Sequence, residues 1–399
     1  MIVGLVGKPS AGKSTLFKAL TLAEVEIAPY PFTTIGKNEG VGFVKIRCAE
    51  NEFKVKCDPK QGYCLEGNRF VPVRMIDVAG LVPGAHEGKG MGNQFLDDLR
   101  QANVLIHVVD ASGATNEKGE QVPIGSHNPA KDIKFLEAEI DMWYLGILKK
   151  GWEKFARTIQ QEKKEIEKAI AKQLSGLGVN EDMAKAVVKK LALNKEEVTS
   201  WSEDDLRNLA VEFRKRTKPM IIACNKVDIK EGKDNYEKLK KEFNDYIVVA
   251  CSAESELALR EAAKHEIIEY IPGESDFKIV NGEKLNEKQK KALEFIKKNI
   301  LEVFKSTGAQ QVIDSAVFDL LKYIAIFPGG VNKLADSDGN VLPDCFLLKG
   351  ASTALDFAYR LHTDLGDKFI RAIDVKTKKT VGKDHVLKHL DVVEIITAR

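Results

Sequence analysis

Nine residues near the N-terminus, GKPSAGKST from Gly7 to Thr15, restrict the fold of this chain more than any other stretch, and they follow directly on the apolar run MIVGLV. Gly7, Gly12, Lys13 and Ser14 fit the spacing G-x-x-x-x-G-K-[ST]. The apolar run reads as a buried strand, and Lys13 opens a helix continued by LFKAL. Between them the backbone must curl until successive N–H groups face one concave point. Gly12 supplies torsions that a Cβ would forbid. The helix N-terminus adds partial positive charge, so the natural occupant is an anion such as a polyphosphate. Lys13 then reaches the β- and γ-phosphates, the Ser14 hydroxyl coordinates Mg²⁺, and Pro9, Ser10, Ala11 and Thr15 complete the cradle. Without an occupant, Lys13 is expected to face solvent. The plain alternative is a glycine-rich turn with no ligand, which the strand before and the helix after argue against.

Size and composition set the frame. At 399 residues the chain exceeds one hydrophobic core, so two or three domains are expected. With 44% hydrophobic and 30% charged residues it reads as soluble and globular; a net charge of +2 does not mark the whole chain as a nucleic-acid binder, so any basic patch must be local. No apolar run approaches a membrane span, and the N-terminus runs straight into the first strand. A cytoplasmic monomer without membrane contact is expected. Six cysteines in such a compartment argue against a disulfide framework. Three of them, Cys48, Cys57 and Cys64, fall within one short segment, but zinc normally takes four ligands and no histidine lies nearby. That segment is read as a β-rich insertion with free thiols, a metal being the alternative.

Short β-type runs recur at Ile2 to Val6, Val71 to Ile76, Val104 to Val109, Met220 to Cys224 and Tyr246 to Cys251, several of them separated by helical stretches. This alternation predicts an α/β, doubly wound, mostly parallel sheet whose ligands bind beyond the carboxyl ends of the strands. The pattern breaks near Ala130. Apolar residues then fall mostly three or four apart from Leu145 to Leu174, GLGVNED makes a turn, and a second series follows at Ala184, Val187, Val188 and Leu191. The spacing predicts an inserted helical hairpin arm whose charged faces suit a partner. From about Phe318 the runs YIAIF, CFLLK, FIRAID and VVEIIT surround one helix, which Thr353 and Asp356 would open as a capping box. Expected limits are 1–130 plus 218–275 for the sheet domain and 131–217 for the helical insertion, then 276–317 for a helical connector and 318–399 for a small α+β domain.

Three further signals narrow the nucleotide. Asp77-Val-Ala-Gly80 follows the strand VRMI; its carboxylate would hold the Mg²⁺ shell through water, and the Gly80 N–H would sense the γ-phosphate. Asn225-Lys226-Val227-Asp228 follows MIIAC. A carboxylate at Asp228 accepts hydrogen bonds from guanine N1–H and the 2-amino group, a pair that adenine lacks, worth a discrimination of roughly 10²–10⁴. After YIVVA, a backbone N–H of Ser252 or Ala253 is placed to meet guanine O6. Between the glycine turn and Asp77, PYPFTTI carries threonines able to bind Mg²⁺ while a γ-phosphate is present and to release it afterwards, with a rigid proline-rich turn as the alternative.

Taken together, GKPSAGKST, YPFTTI, DVAGLVPGAHEGKGMGNQFLDDLR and NKVD resemble the Obg-type translation-factor GTPases, specifically the YchF subfamily in its archaeal form. FPGG and LLKGASTALDFAYRLHTDLGDKFIRAID resemble a TGS domain, a ubiquitin-like β-grasp module. The resemblance spans nearly the whole chain. It implies a P-loop NTPase domain with an inserted helical arm, a TGS domain contacting RNA or the ribosome, and Thr34, rather than Thr33, as the switch ligand of Mg²⁺. Many YchF proteins have lost the NKxD aspartate and prefer ATP; this chain keeps Asn225, Lys226 and Asp228, so GTP and GDP are the expected ligands. Obg-type loops commonly carry Asn where this chain has Ser10, a position associated with potassium-assisted hydrolysis, so the resemblance leaves potassium dependence open. Where related switches hold a water-orienting glutamine, this chain has Leu81. His86 is the nearby side chain suited to positioning water, with an ordinary loop histidine as the alternative. The expected activity is slow GTP hydrolysis on or near ribosomes, set against an ATP-preferring metabolic or stress-related hydrolase and an RNA-binding scaffold.

Overall fold

The computed structural model describes residues 1–22, 38–78, 80 and 92–398. β1 (Ile2–Val6) leads through the glycine turn into α1 (Lys13–Thr21), followed by β2 (Glu39–Arg47), the single turn α2 (Glu50–Phe53), β3 (Tyr63–Leu65) and β4 (Asn68–Asp77). α3 (Gly92–Gln101) and β5 (Val104–Asp110) precede five helices: α4 (Ala130–Lys149), α5 (Trp152–Gln161), α6 (Ile166–Gln173), α7 (Glu181–Lys190) and α8 (Glu203–Thr217). The chain then forms β6 (Met220–Asn225), α9 (Lys230–Glu242), β7 (Val248–Ala250) and α10 (Ala253–Lys264). Among the described residues no helix is long and apolar enough to cross a membrane.

The chain divides into two compact units, the first of residues 1–17 and 75–253. Here β1 pairs with β5, β5 with β6 and β6 with β7, all in parallel, and the end of β4 lies beside β1. β5 and β6 are buried at every residue, as apolar runs such as VLIHVVD require in a parallel sheet covered on both faces. All five expected β-type runs are strands. The register sets Asp110 opposite Asn225, so the polar ends of β5 and β6 meet at one edge.

The inserted segment is more divided than one hairpin. Gly151 takes φ +73° just past α4, and Lys163 takes φ +49° between α5 and α6. Such left-handed breaks leave the three-to-four spacing of apolar residues almost untouched, which is why periodicity alone joins these helices. GLGVNED does turn: Gly178 takes φ +83°, and the Asn180 side chain caps α7 through the Met183 N–H. α8 opens on a capping box of Ser202 and Asp205. Arg214, buried on α8, donates to Asp141 and Glu137 of α4. Trp143, Trp152 and Trp201 share one apolar core with Val6, Ile76 and Leu105, so the insertion is rooted in the core of the sheet.

The second unit comprises residues 18–74 and 254–399. It holds β2 and most of β4, which are neighbours, with β3 antiparallel to β4. Beyond α10 come the ribbon β8 (Ile268–Glu269) and β9 (Lys278–Ile279), then the helices α11 (Glu287–Ile296), α12 (Glu302–Phe304) and α13 (Ala309–Asp314). The last module runs β10 (Tyr323–Pro328), β11 (Phe346–Lys349), α14 (Ala354–Leu361), α15 (Thr363–Asp367), β12 (Phe369–Asp374), β13 (Lys379–Val381) and β14 (Val392–Thr397). Its sheet order is β11-β10-β14-β12-β13, with β10 and β14 parallel and the other pairs antiparallel. Thr353 and Asp356 form the expected capping box, which sets Phe357 and Ala354 of α14 against Ile326, Leu348 and Val393.

Candidate nucleotide-binding site

The residues singled out at the two ends of the glycine turn converge in the first unit. Gly7 takes φ +146°, and a Cβ there would stand 2.4 Å from the Val108 carbonyl oxygen. Gly12 takes φ +95°, and its Cβ would stand 2.1 Å from Asn225 Nδ2. Both positions therefore exclude a side chain on torsion and on space. Ser10, exposed at the tip, also takes a positive φ of 61°. Ala11 is fully buried beneath it, and Thr15 follows Ser14 on α1.

Lys13 departs from expectation. Only 9% exposed, it donates through Nζ to the Lys8 carbonyl oxygen at 3.1 Å instead of facing solvent. Burial lowers its pKa, with the Asp77 carboxylate working the other way. The backbone of the turn offers an acceptor within reach of the ammonium, and folding onto it satisfies a cation that is already leaving water.

Asp77 stands at the end of β4 because the Val78 N–H donates to Leu5 O, extending the strand past β1. Ser14 Oγ donates to Asp77 Oδ2 at 3.0 Å. Asp77 Oδ1 is buried without a hydrogen-bond partner, and burial pushes the carboxyl pKa up against the opposing Ser14 hydrogen bond and Lys13 charge. A hydroxyl and an orphaned carboxylate oxygen side by side are the hard-oxygen donor set that suits Mg²⁺. Gly80 approaches closely: a Cβ there would lie 3.2 Å from Pro9 Cγ and 3.5 Å from Lys13 Nζ. Thr34, Leu81 and His86 lie outside the described residues.

The Asn-Lys-Val-Asp stretch is bound to the turn by its own side chains. Asn225 Nδ2 donates to Ala11 O at 2.9 Å, and its Oδ1 accepts from the Ala253 N–H at 2.9 Å. Of the two N–H groups put forward for guanine O6, that of Ala253 is thus engaged by Asn225. Lys226, at φ +67°, donates to Ser10 O at 3.1 Å and to Asp110 Oδ2 at 2.8 Å. Ser252 Oγ donates to Asp228 Oδ1 at 3.0 Å, fixing the half-buried carboxylate.

Two residues of this site escaped the sequence reading. Asp110, fully buried, accepts from Lys226, Ser112 and Thr115 side chains. Burial works against its charge, but these hydrogen bonds prevail and hold the carboxyl below the usual range. Lys8, 4% exposed, pairs with Asp132 at 2.9 Å and donates to Thr115 O at 2.6 Å, while His127 Nε2 lies 2.8 Å from the other Asp132 oxygen. The only sequence signal for Asp110 was a carboxylate closing a strand that is apolar apart from His107.

A strand, a glycine turn, a helix and an Asn-Lys-Val-Asp loop gathered at the end of a parallel sheet define a P-loop GTPase fold. Residues 2–137 match the family model of the 50S ribosome-binding GTPase, 223–330 that of the Obg-like GTPase YGR210-like G4 motif-containing domain, and 337–397 that of the TGS domain. An uncharacterised GTP-binding protein of Methanocaldococcus jannaschii is 51% identical over 100% of this chain and 99% of its own length. The crystal structure of a GTP-binding protein from Pyrococcus horikoshii aligns at 41% identity with a TM-score of 0.79, covering 100% of both chains. A ribosome-binding ATPase YchF of Buchnera aphidicola is 28% identical over 94% of this chain and 88% of its own. The chain belongs to the YchF-like branch of the Obg-type GTP-binding proteins.

Proposed function

We propose that this protein is a slow, Mg²⁺-dependent GTPase that works as a molecular switch on or near ribosomes. The observation that carries the guanine preference is Asp228, half-buried and fixed by Ser252 on a loop whose Asn225 and Lys226 grip the phosphate turn. A fixed carboxylate there accepts from guanine and meets no matching donor pair on adenine. Ser14 and Asp77 would hold Mg²⁺, which when bound neutralises charge developing on the β- and γ-phosphate oxygens. Lys13, freed from the Lys8 carbonyl, would turn to the same phosphates. Thr34 is the proposed switch ligand and His86 the proposed water-positioning residue. With leucine at 81, isolated turnover is expected on the order of 10⁻⁴ to 10⁻² per second, as in unassisted switch GTPases.

Ribosome association rests on the match to the 50S ribosome-binding GTPase model, the TGS module and the ribosome-binding name of the Buchnera relative. The helical insertion and the TGS domain would supply the contact, through phosphate-facing lysines such as Lys149, Lys150, Lys376, Lys378 and Lys379, in a cytoplasmic monomer. The ATPase name of that relative favours one second reading, an ATP-preferring hydrolase. Titrating GTP and ATP against the purified protein separates the two. GTP is expected to bind on the order of 10²-fold or more tighter, and Asp228→Asn to move preference toward xanthine nucleotides. Equal affinities for the two nucleotides would sink the guanine reading. Cosedimentation with ribosomal subunits in GDP against a non-hydrolysable GTP analogue tests the partner.

A further inference from the structure

The second unit brings together the three cysteines expected as free thiols. Cys48 directly follows β2, Cys57 lies in the loop after α2, and Cys64 is on β3. Their sulfurs and a carboxylate oxygen of Glu50 all lie within 4.8 Å of one another. Cys48 Sγ and Cys57 Sγ are 3.6 Å apart. A disulfide needs about 2.05 Å, whereas sulfurs on a tetrahedral zinc with Zn–S near 2.3 Å stand roughly 3.8 Å from each other. At 3.6 Å the two sulfurs are too far apart for a disulfide and close to the separation of two ligands on one ion.

Glu50 is the donor that counting only cysteine and histidine missed. Its Oε2 accepts from the Cys57 N–H at 2.8 Å, and its Oε1 faces Cys64 Sγ at 3.3 Å. The scaffold is built around the cluster. The Cys48 N–H donates to Gly67 O at 2.8 Å, and Asn51 Nδ2 donates to both Cys48 O and Gly67 O. Gly67 takes φ +77°, and a Cβ on it would stand 2.5 Å from Asn51 Oδ1. Cys48 and Cys57 are buried and Cys64 partly so.

We propose that Cys48, Cys57, Cys64 and Glu50 form a closed, structural zinc site, separate from the Mg²⁺ site and independent of the nucleotide reading. Four protein donors leave no open position for substrate, which is the mark of a structural site. Its consequence lies in the loop it would staple. The Asp58 N–H donates to Val341 O and the Lys60 N–H to Pro343 O, and Arg69 donates to Leu342 O and Pro343 O. Between α2 and β3 this loop has no strand or helix of its own to hold it. A metal clip at its base fixes the backbone that meets residues 341–343.

Elemental analysis of the full-length protein, purified without chelator or added metal, should find about one zinc per chain. Cobalt added to chelator-treated protein should give tetrahedral ligand-field and thiolate charge-transfer bands. Cys57→Ser and Cys64→Ser should reduce binding to background, and Glu50→Gln should weaken it and alter the cobalt spectrum. Cys345→Ser should leave both unchanged. Where a variant fails to fold, the cobalt titration of the parent protein decides alone. Absence of zinc together with an octahedral cobalt spectrum would overturn the site. So would a Cys48–Cys57 disulfide in protein isolated under reducing conditions. Loss of metal in Cys345→Ser but not in Glu50→Gln would overturn Glu50 as the fourth ligand.

Discussion

The two compact units gather their chemistry in different ways. The first works with backbone: Gly7, Gly12 and Ser10 bend the chain in positive φ, and the side chains of Asn225 and Lys226 end on main-chain oxygens of the same turn. It buries basic groups, with Lys8, Lys13 and His107 all nearly out of water. The second works with side chains set far apart in sequence. There Glu256 accepts from Arg260, Tyr270 and Thr307, while Gln310 joins Arg260 to Phe43 O and Asp314. Its buried charges are Arg69, Arg260 and Glu256, each held by side-chain or carbonyl partners distant in sequence. A site made of backbone tolerates almost no change at its glycines, whereas a site made of side chains fails one donor at a time.

The sharpest way to break this contrast is Gly12→Ala. The φ of +95° and the 2.1 Å approach to Asn225 Nδ2 forbid the methyl group. Triphosphate affinity should fall more than about 10²-fold and stability by about 2–4 kcal/mol, read by titration and denaturant unfolding. A folded, binding-competent variant would show that the turn does not depend on that conformation.

Metal removal probes the other unit. On the zinc assignment, a chelator should speed hydrogen exchange in residues 48–66 while residues 7–14 keep their protection, as measured by mass spectrometry on the intact chain. Equal loosening of both segments would erase the distinction.

The smallest effect is in pH, where the units should respond with opposite signs. Burial, with Lys13 and Lys8 close by, lowers the His107 pKa to about 3. Below pH 6.5 the unfolded chain therefore takes up a proton that the native one refuses, and stability falls as pH drops. Loss of water around the Asp314 carboxyl raises its pKa to about 7, against hydrogen bonds from Lys45 N–H and Gln310. Stability from this group is full near pH 4 and declines as pH rises toward 7. His107→Leu should remove about 2 kcal/mol of the loss between pH 6.5 and 4.5. Asp314→Asn should flatten the opposite slope. Thermal unfolding across pH reads both, and matching slopes in the two variants would refute the assignment.

What the sequence revealed follows this same division. Contiguous motifs were legible because spacing within nine residues carries the geometry, so the glycine turn from Gly7 to Gly12 and the Thr353–Asp356 box take the expected form, while the Lys13 side chain does not. Strands of the parallel centre were legible as unbroken apolar runs. Asp110 and Lys8 were not, since a single charged residue beside a strand end has no periodic signature. Nor was the grouping of residues 18–74 with 254–399, because bonds such as Arg69 to Leu342 O join positions that no local pattern relates. The helical insertion was found but under-divided, its breaks resting on Gly151 and Lys163 torsions. Thr34, Leu81 and His86 remain readings of sequence and resemblance.

The Lys8–Asp132 pair constrains where this molecule is free to bend. Lys8 belongs to the turn after β1, and Asp132 to the first turn of α4, yet their charges meet out of water. Pulling them apart would strand an ammonium and a carboxylate in low dielectric, at about 3–5 kcal/mol when one partner of a buried pair is lost. The start of α4 is therefore tied to the glycine turn by a buried ion pair. Farther along, Leu136, Ile140 and Trp143 pack in the same apolar core as Val6 and Leu105, so α4 is held to the sheet by polar contact at its start and by apolar contact beyond it.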